Sequence, residues 1–420
     1  MARMTPEKLF HQMLGLGNEW SVMDCRFDEN NGVFLEIREA SGLWEKLRCP
    51  KDAGEVFCYD HTEALEWRHL NVFEHHCHIR CELPRAKCRQ CGHLHRVGPP
   101  WEGLSKHFTK AFEAYALLLA REMPIKRAAA LVEESDTRFW RMIAAHVSAA
   151  RAADDMGRVL CVGVDEMNVR KGHQYLTIFA DLEQRRVLFG TDGKDAGVWA
   201  RFADELKGHR GDSNLILEVS MDMSPAYQKG VSHVCPNARV VFDKYHVIAN
   251  VCQAVDQVRK TESNWGGEQA RQDLQKTLWL FRKNPGSLTG SERLRMENLR
   301  SKNLWTAKAY QMRLVLQEIY AEPHEGKARE AFIHWCQWVR DAAEVAPPMI
   351  FGSMRSVARM VFRNLSGILA HWKHRLTNAY MEALNSVFSA TKRKARGYRT
   401  TPYLLTILYL VAGKLKVPFH

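Results

Sequence analysis

Two short apolar runs that each stop at an aspartate constrain this chain most. Residues 159–165 read VLCVGVD and residues 215–222 read LILEVSMD. Runs of this length suit buried strands. A carboxylate that closes such a strand falls at the carboxyl edge of the sheet, where open α/β folds place their ligands. HQYLTIFADL and RRVLFGTD follow the first run as two more strands, with Arg185 and Arg186 near the second turn. AGVWARFADELKGH then has helical spacing, and ARVVFDKYH supplies a further strand. Three strands followed by alternating helix and strand predict an α/β core.

Asp165 and Asp222 therefore stand on sheet edges. If the edges meet, like charges lie close together, which is costly unless a cation neutralises them. A hard oxygen-binding ion such as Mg²⁺ is implied. With two ions about 4 Å apart, one activates the attacking oxygen and the other stabilises the leaving oxygen of a phosphodiester displacement. A strand-end aspartate also suits a turn or helix cap, and Asp222, followed by Ser-Pro, fits that reading. Glu166, Asp181 and Asp243 lie near strand ends as well, and spacing does not choose among them.

Before Arg158 the period is helical. Phe112, Tyr115, Leu118 and Leu119 share one face, and a second helix after Met123-Pro124 carries Ala128, Leu131 and Val132. Ser135 or Asp136 can cap a third helix bearing Phe139, Ile143 and Val147. Nearer the amino terminus, GVFLEIRE alternates like a strand. From about Ile248 to Leu369 the sequence is charged and helical; a last helical block leads into the apolar tail PYLLTILYLVAG.

The net charge of +12 suits a polyanionic partner, because neutralising phosphates releases condensed counterions; a plain basic surface is the bland alternative. No run of eighteen apolar residues argues for a membrane span, and MARMTPEKLFHQMLG lacks the pattern of a signal peptide. A cytoplasmic protein is expected. Its 11 cysteines are then reduced. Cys161, Cys235, Cys252 and Cys336 are scattered among apolar neighbours and read as small buried side chains. Cys49, Cys58, Cys77, Cys81, Cys88 and Cys91 crowd one region, where Cys88-Arg-Gln-Cys91-Gly is a knuckle able to give tetrahedral zinc two thiolates.

The strings VGVDEMNVRKGHQYLTIFADLEQRRVLFGTDGKD, VSMDMSPAYQKGVSHVCPNARVVFDKYHV and RLTNAYMEALNSVFSATKRKARGYR resemble the catalytic blocks of bacterial insertion-sequence transposases. The nearest group is the ISL-three family, whose catalytic domain is related to retroviral integrase and ribonuclease H. The resemblance is collinear from about Cys49 to the carboxyl end. It implies that Asp165, Asp222 and Glu382 form a DDE triad holding two Mg²⁺ (or Mn²⁺) ions. Asn378 and Asn385 share the helical face of Glu382, where they orient it or touch DNA. Asp243 and His246 belong to another family block and imply support of the triad or DNA contact; an Asp243 bonded to Lys244 or to a backbone amide is the competing account.

The same resemblance implies a zinc domain that opens C-P-x-C. Here the string is Cys49-Pro-Lys-Asp52, without the second cysteine. Cys49, Cys88 and Cys91 are the expected ligands, with Asp52, Cys58 and His61 open as the fourth. Cys77, Cys81, His75, His76 and His78 make rival sets, although HHCHIRC also reads as a strand. The helices over 124–151 resemble the family's helix-turn-helix, whose last helix would enter the major groove with Thr137, Arg138 and Arg141. Lys392, Arg393, Lys394, Arg396 and Arg399 follow Glu382 and suit phosphate contact, against the alternative of a solvated helix end.

The expected organisation is multidomain α/β. It comprises an amino-terminal segment (1–46), a zinc-ribbon-like domain (47–100), a helix-turn-helix domain (105–152), a ribonuclease H-like catalytic domain (158–248 and 370–400), a helical insertion (249–369) and a carboxyl-terminal helix (401–420). Trp265, Trp279, Trp305, Trp335 and Trp338 read as core of the insertion. The expected function is a DNA transposase that binds the terminal inverted repeats of its element and cleaves one strand at each end. The freed 3′-hydroxyl then attacks target DNA. Paired ends require a homo-oligomer, at least a dimer. The rivals are a structure-specific nuclease and a zinc and helix-turn-helix regulator without catalysis.

Overall fold

The computed structural model describes residues 4–28, 32–170, 174–373 and 379–418. The chain divides into two compact units, one made of 1–154 with 390–420 and the other of 155–389.

In the first unit, α1 (Pro6–Leu14), β1 (Trp20–Asp28), β2 (Gly32–Glu39) and α2 (Ser41–Lys46) lead into β3 (Val56–Val72), β4 (His75–Cys88) and β5 (Leu94–Arg96). These strands form one sheet in the order β1-β2-β4-β3, with β5 on β4. β1 and β2 thus share one sheet with β3 and β4 across the boundary expected at 46/47. The buried face of β2 (Val33, Leu35, Ile37) needs cover and continues into β4, where Leu35 pairs with Ile79. Trp101 closes this core by meeting Trp20 and Trp67 edge-on at 5.1 and 5.9 Å. HHCHIRC is strand, as part of β4.

The helices α3 (Lys110–Glu122), α4 (Ile125–Leu131) and α5 (Asp136–Ala152) follow as expected. Ser135 caps α5 by accepting from the Arg138 amide, and Glu133 takes a left-handed φ of 56° in the turn before it. Glu113 on α3 is buried, yet fully engaged. Its carboxylate accepts from the Leu104 and Ser105 amides at 2.8 and 2.7 Å and contacts His146 of α5 at 2.8 Å. A side chain at Gly103 would meet Glu113 at 2.2 Å, so only glycine admits this approach.

In the second unit, β6 (Cys161–Arg170), β7 (Gln174–Asp181) and β8 (Arg186–Asp192) form an antiparallel meander. Then α6 (Gly197–Gly208), β9 (Glu218–Met221), α7 (Pro225–Val234) and β10 (Arg239–Phe242) alternate. The sheet order is β10-β9-β6-β7-β8, with β9 parallel to both β6 and β10. Phe179 stacks on Phe202 at 4.1 Å and meets Trp199 edge-on, which seats α6 on the sheet.

Asp243 caps α8 (Lys244–Trp265), a continuous helix that runs through the boundary expected at 248/249. It is followed by α9 (Gly267–Leu274), α10 (Leu278–Arg282), α11 (Gly290–Ser301), α12 (Trp305–Ile319), α13 (Glu325–Val345), α14 (Pro348–Arg363) and α15 (Leu365–Lys373). Trp335 is buried and Trp305 and Trp338 partly so, but Trp265 and Trp279 are exposed and lie outside the core. Cys161, Cys235 and Cys336 are buried as expected, while Cys252 is half-buried.

The chain ends with α16 (Ala379–Lys394), whose last turn joins the first unit, and α17 (Thr401–Ala412). Leu404, Ile407 and Leu408 of α17 are buried. Its Tyr403 stacks on Trp140 of α5 at 4.5 Å, and Arg151 lies 3.8 Å over Tyr409. A helix this apolar needs partners on several sides, and it finds them among the helices of 105–152. No described helix is long and apolar enough to cross a membrane.

Candidate active site

Strand register builds the site. The offset that pairs Cys161 with Glu218 and Gly163 with Ser220 aligns Asp165 with Asp222. On the other side of β9, Phe242 pairs with Met221, so Asp243 falls level with Asp222, and the Asp243 amide donates to the Met221 carbonyl at 3.2 Å. Asp222 and Asp243 directly follow β9 and β10, and the same offset carries Asp165 opposite Asp222; Asp165 itself is the fifth residue of β6, which pairs with β7 on to Arg170 instead of ending at the carboxylate.

Alternation along β6 decides what each carboxylate meets. Gly163 and Asp165 face α16. A Cβ at Gly163 would lie 2.8 Å from Met381, and Asn385 donates its Nδ2 to Asp165 Oδ2 at 2.5 Å. Asp165 Oδ1 accepts from the Glu166 amide at 2.7 Å. The imidazole of His246 lies between Asp165 and Asp243, at 3.9 and 3.8 Å. Burial pushes the Asp165 carboxyl above its usual range, against the opposing bonds from Asn385 and the Glu166 amide.

Glu166 points to the opposite side, toward Tyr227 of α7. The Tyr227 hydroxyl bonds Thr177 Oγ1 at 2.8 Å, and that hydroxyl donates to the Gly193 carbonyl at 2.7 Å. Burial raises the Glu166 carboxyl first, the charge of Asp222 raises it further, and Lys194 opposes. The sequence singles out Glu166 without giving it a role and does not point to Lys194, Thr177 or Tyr227, because no spacing signal connects residues brought together by strand pairing and α7.

The other candidate residues divide. Asp243 Oδ1 accepts from the Tyr245 amide at 2.9 Å and caps α8, whereas Asp222 Oδ1 accepts from the Ser224 amide at 2.9 Å in the turn before α7, whose N-cap is Ser224, so Asp222 is not a helix cap. Asp181 is a turn residue, accepting from the Glu183 and Gln184 amides. Glu382 is exposed on α16, one turn before Asn385. Among the described residues, the oxygens of Asp165, Asp222 and Glu382 are not all within 4.8 Å of one another. Asn378 lies outside the described residues.

Cys49, Asp52, Cys88 and Cys91 converge, with their ligand atoms all within 4.8 Å. Two similar knuckles produce this. The Cys49 amide donates to the Gly54 carbonyl as the Cys88 amide does to His93, both at 3.0 Å. The Lys51 and Gln90 amides point at the sulfurs of Cys49 and Cys88, at 3.5 and 3.3 Å. Ala53 and Gly92 each take positive φ at the equivalent step, so Asp52 occupies the place that Cys91 holds in the other knuckle. Cys58 and His61 sit apart, grouped with Glu39. Cys77 and Cys81 are buried in the sheet, and burial pushes both thiols up to about 12.

Similarity to known proteins decides the family. Residues 162–408 match the family described as "Transposase", and residues 105–147 match the "Helix-turn-helix domain of transposase family ISL3". The chain belongs to the transposase family ISL3. It is 25% identical over 349 residues, 81% of this chain and 83% of the relative, to the transposase for insertion sequence element IS1001 of Bordetella parapertussis. It is 24% identical over 437 residues, 96% of this chain and 95% of the relative, to the transposase for insertion sequence element IS1557 of Mycobacterium tuberculosis. Among solved structures, the Drosophila P element transposase strand transfer complex aligns with a TM-score of 0.39 at 10% identity, covering 74% of this chain and 93% of that one.

This ISL3 member is thus a DNA transposase with a DNA-binding helix-turn-helix domain. On that domain's last helix, α5, Thr137 and Arg141 are exposed. Arg138 is half-buried, paired with Glu134 at 2.9 Å and lying 4.9 Å over the Phe108 ring. Lys392, Arg393 and Lys394 form the last turn of α16, where cations also suit the helix dipole. Lys394 donates to the Glu122 carbonyl at 3.3 Å. Arg396 and Arg399 follow, both exposed.

Proposed function

We propose that this transposase is of the DDE type, with Asp165, Asp222 and Glu382 as its metal-binding carboxylates. The single observation that carries the reading is the register of the parallel strands β6 and β9, whose offset, continued two residues past Gly163 and Ser220, carries Asp165 opposite Asp222. The meander followed by parallel strands supports a ribonuclease H-like core, with 249–369 as its helical insertion. The donor set fits hard cations, since the buried Asp165 carboxyl, raised by desolvation, stands level with Asp222 and Asp243 and offers oxygen donors. Two Mg²⁺ (or Mn²⁺) ions, when bound, supply Lewis-acid stabilisation of the attacking and leaving oxygens.

The protein's own residues prepare that chemistry. Asn385 fixes the rotamer of Asp165 and ties α16, the helix carrying Glu382, to β6. His246 and Asp243 flank Asp165 and restrict its movement toward β10. Tyr227 and Thr177 hold Glu166 on the far side of the strand. Thr137, Arg138 and Arg141 read the terminal inverted repeats, and the basic run from Lys392 to Arg399 holds phosphates. A homo-oligomer, at least a dimer, pairs the two ends for cleavage and strand transfer.

The knuckle site fits Zn²⁺ with Cys49, Cys88 and Cys91 as thiolates and Asp52 as the oxygen ligand. Cys49 and Cys91 sulfurs lie 3.6 Å apart, close to the roughly 3.8 Å edge of a tetrahedron with bonds of about 2.3 Å. The experiment is cleavage of DNA carrying the element's ends in Mg²⁺. Wild type nicks at the repeat boundary, and Asp165→Asn, Asp222→Asn and Glu382→Gln bind the same DNA without nicking it. Equal nicking by any of the three removes that residue from the triad.

A further inference from the structure

A cleft of about 580 Å³ opens in the second unit between the β10 edge of the sheet and the helices α13 to α15. Its walls carry Arg239, Arg329, Arg363 and Lys373 against one acid, Glu325. That carboxylate is shared, because both Arg329 and Lys373 reach Glu325 Oε1 at 3.3 Å. Even with Arg239 set aside, Arg329, Arg363 and Lys373 against the single carboxylate of Glu325 leave positive charge in excess along the lining of a concave site of ligand-binding size. Ser366 and Gly367, in the first turn of α15, add the positive end of a helix to the same wall. On the floor, Gln228 donates to Asn364 Oδ1 at 3.2 Å. A Cβ at Gly367 would meet the Phe242 ring at 2.5 Å, so glycine there keeps α15 close to β10.

The position of the cleft says what it holds. Phe242 lines it, and the next residue is Asp243, level with Asp222. Its second wall is α7, the helix that starts three residues after Asp222. The cleft therefore leads away from the carboxylate edge along two elements that begin or end there. We infer that it binds the sugar–phosphate backbone of DNA flanking the cleaved bond, with Arg329, Arg363 and Lys373 on successive phosphates. This rests on the assignment of the carboxylate edge as the place of cleavage.

The test uses the full chain and a fluorescent duplex carrying the element end, with anisotropy followed from 50 to 300 mM salt. Every phosphate that the protein ceases to neutralise makes the plot of log K against log salt shallower by about 0.9. The combined variant Arg329→Ala, Arg363→Ala, Lys373→Ala is expected to lower the slope by roughly two to three. The same removal of charge at exposed Arg271, Lys276 and Arg293, none of which lines the cleft, leaves the slope at the wild-type value. A wild-type slope in the cleft variant overturns the inference alone, as does an equal fall in both variants. A labelled nucleoside triphosphate that binds wild type tightly and the cleft variant weakly, while DNA binding is unchanged, makes the occupant a free phosphate ester and also overturns it. Wild-type protein that does not bind the duplex defeats the DNA-cleaving assignment of the edge as well.

Discussion

Glu262 offers a quantitative test of how the helical region is held together. It lies on α8, is 4% exposed, and points at the start of α12. Its carboxylate accepts from the Trp305 and Thr306 amides at 2.7 Å each and from the Thr306 hydroxyl at 2.6 Å. Those amides belong to the first turn of α12, which has no side-chain cap of its own, so Glu262 satisfies donors the helix leaves open and complements its dipole. Glu262→Ala leaves three donors without this acceptor, the two of Thr306 being buried. Hydrogen bonds to a charged group contribute about 1.5–3 kcal/mol each, and the bonds are not additive. The expected loss is about 3–5 kcal/mol, near the upper end for single substitutions. Glu262→Gln keeps a carbonyl acceptor but faces a donor with its amide, and loses about 2 kcal/mol. Urea unfolding followed by tryptophan fluorescence measures both. A loss under 1 kcal/mol for Glu262→Ala would refute the reasoning.

Two further outcomes are expected. His69 is partly buried beside Arg68 and bonds Thr109 at 2.8 Å; burial lowers its pKa to about 4 from the ordinary 6.5. The neutral form is favoured on folding, so the stabilisation is present above pH 6.5 and fades as pH falls through 4, by at most about 3 kcal/mol. His69→Gln flattens the pH dependence of thermal unfolding between those values; an unchanged profile assigns acid sensitivity elsewhere. Cys88→Ser is expected to reduce bound zinc from one ion per chain to a small fraction by elemental analysis, whereas Cys58→Ser leaves it at one, because Cys58 belongs to the other cluster.

The apolar runs ending at Asp165 and Asp222 were legible because a buried parallel strand has few alternatives to a continuous apolar stretch. So were the extents of α3 to α5, from helical spacing, Pro124 and the Ser135 cap, although Tyr115, Leu118 and Leu131 face outward and Ala116 and Leu117 are buried instead. Register was not legible. Nothing local says that Cys161 pairs with Glu218, which carries Asp165 opposite Asp222, or that Phe242 pairs with Met221, which makes Asp243 level with Asp222. The placement of residues 1–46 and 401–420 is hidden for the same reason: β1 and β2 complete a sheet with distant strands, and α17 covers helices far earlier in the chain. The sequence left Asp52, Cys58 and His61 open beside the knuckle cysteines, and only the paired backbone turns at Ala53 and Gly92 reveal that it is Asp52 that lies beside Cys49, Cys88 and Cys91. Glu382 and Asn378 came from resemblance, since an exposed helical glutamate carries no signal of its own.

The most direct measurement of the central claim exchanges an oxygen ligand for sulfur. Asp165→Cys places a soft thiolate where a hard ion requires oxygen, and Mn²⁺ accepts sulfur more readily than Mg²⁺. Cleavage at the element end is predicted to vanish in Mg²⁺ and to return in part in Mn²⁺, while Asp165→Ala stays inactive in both. Undiminished cleavage by Asp165→Cys in Mg²⁺ would contradict the assignment of Asp165 as a metal ligand, and with it the proposed centre.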